Sequence, residues 1–233
     1  MTPTTPPTAS AGVDTEVTRA AQLDCAALSD ALDRLSIAGQ CHGIAPRDGK
    51  FRMAGRAYTV LYRMAAAGEP GSVGDFIDDV DPGSVIVIDN GGRTEMTTWG
   101  NILTEMAHRR GMAGTVIDGI NRDVQLCIDL NFPIYSRGHW MRTGKGRIQL
   151  AGLQVPVTIG GIAVHPGDIL RGDADGVVVL PKARAAELLT IAEDITAIEA
   201  RLRQNLRNGM RMDEARTQAR YHHLQSPDYP KQP

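Results

Sequence analysis

The chain has few cysteines, no long apolar run and no excess of charge of one sign, and each shortage removes a class of function. Cys25, Cys41 and Cys127 are odd in number and widely spaced, which argues against a disulfide framework and against a CxxC zinc or redox site. A reducing compartment is the expectation. No apolar stretch approaches the length of a membrane span, and the N-terminus has neither the basic region nor the apolar core of a secretory signal, so a cytoplasmic protein is expected. With 25 Lys+Arg against 27 Asp+Glu there is no global electrostatic case for nucleic acid or an anionic membrane, while small anionic metabolites stay open. Internal repeats are absent. The glycine-rich stretch Thr143-Gly144-Lys145-Gly146-Arg147 lacks the spacing and the Ser/Thr of a Walker motif and reads as a mobile surface loop.

What is present is enough for a substantial core. The 233 residues suggest one domain, residues 12–225, between two tails that are expected to be disordered. Residues 1–11 carry no large apolar group after Met1, and residues 226–233 hold Pro227, Pro230 and Pro233. A first helix is predicted after Asp24 as N-cap, with Leu28, Ala31, Leu32 and Leu35 on one face and Gly39 as its end. Short strands are predicted at 56–62, 84–89, 115–117, 133–136, 155–159, 162–164 and 176–180, most of them bounded by Gly, Pro or Asp. Helices fall between them at 98–110, closed by Gly111, and at 122–130. The longest helix follows Pro181, with Leu188, Ile191, Ile195, Ile198, Leu202 and Leu206 at three- and four-residue spacing, and ends near Gly209. The pattern implies a mixed α/β core, two packed layers of strands with helices outside and a long C-terminal helix.

The most informative run is Ala113-Gly114-Thr115-Val116-Ile117-Asp118-Gly119-Ile120-Asn121-Arg122-Asp123. It reads as an apolar strand, a glycine turn, and an Arg-Asp pair delivered to the first turn of the next helix. A carboxylate beside a guanidinium suits a site that holds a cation and an anionic substrate together. The plain alternative is a solvated first turn in which the helix dipole favours Asp.

The middle and C-terminal parts resemble the RraA-like family, which includes 4-hydroxy-4-methyl-2-oxoglutarate aldolases, related pyruvate aldolases and the regulator of ribonuclease E activity. The resemblance rests on Pro82-Gly83-Ser84-Val85-Ile86-Val87-Ile88-Asp89, Trp99-Gly100-Asn101-Ile102-Leu103, Gly119-Ile120-Asn121-Arg122-Asp123 and Phe132-Pro133-Ile134-Tyr135-Ser136-Arg137-Gly138. It resumes in Pro166-Gly167-Asp168 and in Gly172-Asp173-Ala174-Asp175-Gly176-Val177-Val178-Val179-Leu180-Pro181, and covers about residues 24–209.

The resemblance implies an α/β fold with a β/β/α swivelling-type core, a homotrimer or homohexamer, and active sites at subunit boundaries. It implies a divalent-metal-dependent (class II) aldolase that cleaves a 4-hydroxy-2-keto acid to pyruvate, with oxaloacetate decarboxylation as a second activity. Arg122 would bind the small 2-keto acid and Asp123 a Mg2+ or Mn2+ ion, while the amides of Gly100, Asn101, Ile102 and Leu103 receive the substrate carboxylate. Glu199 is the closest match for a carboxylate that a neighbouring subunit adds in some family aldolases. Close packing at Gly100 and an exposed ion pair between Glu199 and Arg203 are the structural alternatives. Two positions depart from the family pattern, Leu126 and Asn101, both of which are acidic in many of its aldolases. The rival function is a non-catalytic regulator that binds a ribonuclease. A methyltransferase has little support, since no glycine-rich nucleotide loop follows a strand.

Overall fold

The computed structural model describes residues 13–71 and 73–226. The expected tail of residues 1–11 and, apart from Ser226, that of residues 226–233 lie outside the described residues.

Four parallel strands form the centre: β2 (Met53–Met64), β3 (Val85–Thr97), β4 (Gly114–Asn121) and β5 (Ile134–His139), side by side in that order. Parallel neighbours need crossovers, supplied by α3 (Asn101–Arg109) between β3 and β4 and α4 (Val124–Asp129) between β4 and β5. Strands covered on both faces read as continuous apolar runs, and Val85, Ile86, Val87 and Ile88 are all fully buried. Antiparallel strands complete the sheet. The short β1 (Ala45–Pro46) pairs with β5, while β6 (Ile148–Leu153) and β9 (Ile169–Asp173) share β2, β9 along Met53–Arg56 and β6 along Val60–Met64. β10 (Gly176–Leu180) closes that edge against β9. The second group of strands is a small hairpin, β7 (Val157–Ile159) with β8 (Ile162–Val164), whose buried residues join the same core.

A separate apolar cluster joins β9 and β10 to three helices: α1 (Thr15–Ala21), α2 (Cys25–Arg34) and α5 (Ala185–Arg207). Leu188, Leu189 and Ile195 of α5 are fully buried there. Each contributes about 1.5–3 kcal/mol, well above the roughly 0–1 kcal/mol of an exposed ion pair such as Arg184–Glu187. Burial therefore decides where α5 sits. A short α6 (Met212–Gln218) follows it.

Several expected boundaries move. Asp24 caps α2 as predicted, its Oδ1 accepting from Ala27 N at 2.7 Å. The helix stops at Arg34, however, with Ser36 in the left-handed region at φ +54°, and not at Gly39. Gly39 serves a close approach instead, since a Cβ there would lie 2.5 Å from the Val179 carbonyl oxygen. α5 starts at Ala185 after a 3-10 turn, and Gly209, at φ +90°, follows its end as expected. β3 runs eight residues beyond Asp89 to Thr97, with register shifts against β4 on both sides of Arg93. α1, α6, β1, β6 and β9 were not foreseen.

Candidate functional site

The Arg-Asp pair does not lie within a helical turn as the sequence suggested. β4 continues through Gly119 to Asn121, and α4 starts only at Val124, so Arg122 and Asp123 form the bend between them. The Arg122 amide donates to the Trp99 carbonyl at 3.2 Å, which ties the bend to the end of β3. Asp123 adopts φ +58° and ψ +40°, a left-handed conformation that Asp tolerates better than most residues. It stands at the N-cap position of α4 but makes no cap hydrogen bond there. Its carboxylate crosses to the neighbouring helix, where Oδ2 accepts from Asn101 N at 2.8 Å. The Arg122 Nε lies 3.5 Å from the same oxygen, the one ion pair of Arg122 among the described residues.

Gly100 makes this approach possible. A Cβ at that position would lie 3.0 Å from Asp123 Oδ2 and 3.1 Å from Arg122 Nε, closer than nearly all real Cβ contacts. Close packing is thus a role of Gly100, and what it packs against is the Arg-Asp pair. Beneath it, Thr104 donates to the Gly100 carbonyl at 3.1 Å and accepts from Trp99 Nε1 at 2.9 Å, with Cys127 Sγ 3.4 Å away. Trp99, nearly fully buried, stacks on Phe132 at a centroid distance of 6.2 Å. The heads of α3 and α4 are therefore pinned together.

A cleft of about 280 Å³ opens at this point. It is lined by Gly100, Asn101, Ile102, Leu103 and Arg122, which brings together the predicted substrate-binding residues. Two of the expected anion-binding amides already have partners, Asn101 N in Asp123 and Ile102 N in Asn101 Oδ1 at 2.9 Å. The far wall comes from residues 73–78, and a third side from Thr143 and Lys145.

Lys145 corrects the sequence reading. Its loop is tied to the end of β3, where Thr97 N donates to the Arg142 carbonyl at 3.0 Å and Thr97 bridges to Thr143, and it is closed internally by Arg147 N donating to the Gly144 carbonyl at 2.8 Å. A Cβ on Gly144 would lie 2.4 Å from the Thr97 carbonyl oxygen, so the loop glycine is there for contact and not for slack. Nothing in the composition of the loop signals this, since it depends on which strand end the loop meets.

Glu199 is not brought to the cleft within one chain; it lies on α5 and pairs with Arg203 at 3.1 Å, the ordinary i,i+4 contact. Among the described residues no group of three or more His, Cys, Asp or Glu side chains is placed to hold a metal. The donor set at the bend is the Asp123 carboxylate, whose Oδ2 accepts from Asn101 N, while the Asn101 side-chain oxygen accepts from Ile102 N. Mg2+ keeps several waters and often uses only one or two carboxylates, so this set fits it, whereas it offers none of the His or Cys ligands typical of zinc. Burial pushes the Cys127 thiol up, which makes it a poor nucleophile. Trp140 is 43% exposed in the single chain.

The family model described as RraA-like, Aldolase/RraA matches residues 25–179. The Legionella pneumophila protein DlpA is 36% identical over 193 residues, 82% of this chain, and the chain spans only 31% of the length of DlpA. A Halalkalibacterium halodurans protein provisionally named a 4-hydroxy-4-methyl-2-oxoglutarate aldolase is 36% identical over 166 residues, 71% of this chain and 76% of that protein. The crystal structure of an uncharacterized protein from Pseudomonas syringae pv. tomato DC3000 superposes with a TM-score of 0.82 at 40% identity, covering 88% of this chain and 98% of that one.

Proposed function

This chain belongs to the RraA-like family, and from that premise we propose that it is a divalent-metal-dependent lyase acting on a small 2-keto acid. The substrate class is a 4-hydroxy-2-keto acid such as 4-hydroxy-4-methyl-2-oxoglutarate, cleaved to pyruvate, with oxaloacetate decarboxylation as the related activity. One observation carries the reading: Arg122 lines a small cleft together with the head of α3, and Asp123, next to it in the bend, holds the first amide of that helix from behind the lining.

Breaking the C–C bond leaves negative charge on the pyruvate half, and the residues of the bend are arranged to receive an anion. The planar fork of Arg122 grips a carboxylate or keto oxygen at two points. At the head of α3, Asn101 N and Ile102 N are engaged by Asp123 and by Asn101 Oδ1, so the dipole of the helix, and not those two amides, would draw the substrate carboxylate. Ile102, Leu103 and Met106 supply an apolar side to the cleft. Asp123 would hold Mg2+ or Mn2+, which when bound supplies Lewis acidity toward the keto oxygen. Trp99 and Thr104 keep Asp123 and Arg122 in register with α3.

The same reading takes the protein as a trimer or hexamer in which Glu199 of a neighbouring copy completes the site. Ile102, Ile128, Trp140 and Met141 are exposed apolar side chains of the single chain, as subunit contacts would require. The test is pyruvate release from 4-hydroxy-4-methyl-2-oxoglutarate and from oxaloacetate with magnesium, with manganese and with chelator. Turnover that depends on the cation is expected. Activity that survives exhaustive chelation overturns the metal mechanism, and absence of turnover with both acids overturns the lyase in favour of a regulator that binds a ribonuclease.

A further inference from the structure

We infer that Lys145 is a specificity-determining residue, which binds the distal carboxylate of a dicarboxylic 2-keto acid whose keto-acid end lies at Arg122. The inference rests on the reading of this cleft as a keto-acid site. Arg122 and Lys145 line the same 280 Å³ space but reach it from different segments, the bend after β4 and the loop before β6. Leu103, Met106 and Ile77 line it as well, so the cleft offers two cations and an apolar surface for the carbons of the ligand. That is the charge layout of a short dicarboxylate.

The two basic residues of the loop have different tasks. Arg147 holds the loop itself, its Nη1 donating to the carbonyls of Thr143 at 3.1 Å and Lys145 at 3.4 Å. Lys145 is exposed and forms no ion pair among the described residues. Its backbone is held, with Lys145 N donating to Thr143 Oγ1 at 3.2 Å, so the side chain leaves the loop from a set position. Asp75 and Asp78 also line the cleft and repel an anion, which leaves Arg122 and Lys145 as the two groups of its lining that attract one. A volume of this size is at the bottom of the range for ligand pockets and suits a small metabolite.

The experiment compares the parent protein with Lys145→Gln and Lys145→Arg, in magnesium, on two substrates. One is 4-hydroxy-4-methyl-2-oxoglutarate, with two carboxylates; the other is 4-hydroxy-2-oxopentanoate, with one. The ratio of kcat/KM for the dicarboxylate over the monocarboxylate should fall about ten- to hundred-fold in Lys145→Gln, the loss of one charge-assisted contact, and recover in part in Lys145→Arg. Calorimetric titration with 2-oxoglutarate and with 2-oxobutanoate gives the same comparison without turnover. If no substrate is cleaved but the parent prefers 2-oxoglutarate and Lys145→Gln abolishes that preference, the lyase reading fails and the role of Lys145 stands. An unchanged ratio, or equal losses with both ligands, overturns it.

Discussion

Asp123 Oδ2 and Asn101 N are joined by a 2.8 Å hydrogen bond across 22 positions of sequence, so the residue at the head of α4 closes the head of α3. The carboxylate thereby has a structural task beside its proposed chemical one. Asp123→Asn separates them. Asn tolerates the left-handed backbone and keeps an oxygen that can accept from Asn101 N, so the stability loss should stay near 1 kcal/mol or less. The negative charge is lost, and magnesium affinity and pyruvate release should fall together. Calorimetric metal titration beside a melting curve checks this, and full metal binding by the variant would remove Asp123 from the metal site.

Arg122→Lys should give the opposite split. The charge is kept but the planar fork is lost, so metal binding should persist while kcat/KM falls at least about tenfold through the loss of the bidentate contact. Pyruvate-release kinetics at saturating magnesium distinguish the two variants. If both keep full activity, the bend is a structural turn only.

Gly100→Ala tests the close approach. Gly100 has an extended backbone at φ −155°, so alanine is not strained there, but its Cβ would press on Asp123 Oδ2 and Arg122 Nε. Asp123 Oδ2 ends a short side chain and Arg122 Nε lies within a long flexible one, so both can give way by a few tenths of an ångström. The expected result is a near-parental melting temperature with kcat reduced about tenfold or more, as small misplacements cost rate before stability. A large drop in stability with parental specific activity would reverse that assignment.

The extent to which these features could be read in the sequence follows from the range of the interactions that create them. The N-cap at Asp24 and the helix after Pro181 depend on neighbours within a few residues, and both formed as predicted apart from a shift of the helix start to Ala185. The family pattern placed Gly100, Asn101, Ile102, Leu103 and Arg122 in one site, and they line one cleft. What local pattern could not supply was long-range. The strand continues past Gly119 because β3 and β5 pair with it there, not because of its own residues. Lys145 reaches the cleft only because its loop is bonded to Thr97, 48 positions earlier. β9 was missed since its partners are β10 and the start of β2, and its buried Arg171 and Asp173 interrupt the apolar signal.

The thiols should be inert in the folded protein. Burial is the first cause that raises all three, pushing Cys41 up to about 12 and Cys25 and Cys127 upward as well. At mildly alkaline pH almost no thiolate is present to react. Intact mass after iodoacetamide treatment should show no adduct on the native protein and three after denaturation. Rapid native labelling of Cys127 with loss of pyruvate release would instead make the thiol a participant at the site.

The last prediction concerns α1 and acid. Asp14 caps α1 through Val17 N at 3.1 Å and pairs with Arg56 of β2 at 2.8 Å, while Glu16 reaches the same guanidinium at 2.6 Å. The hydrogen-bonded Arg56 holds the Asp14 carboxyl below its ordinary value, with the Val17 amide adding to this and partial burial opposing it. A carboxyl lowered on folding stabilises the fold above its unfolded pKa of about 3.9, and that contribution is lost as pH falls through the lower, folded value. Because the Asp14 side chain is 41% exposed, solvent screening limits the ion pair to a fraction of a kcal/mol, and cap plus pair come to about 1 kcal/mol. Asp14→Asn should therefore lower Tm at neutral pH by at most about 2–4 °C, the shortfall being smaller if the amide still caps α1. The difference between parent and variant should shrink steadily as the pH is taken below the ordinary carboxylate range. A gap in Tm that is the same at neutral and strongly acid pH would show that α1 is held by Ala20 and its apolar neighbours alone, and that the Asp14–Arg56 pair adds nothing.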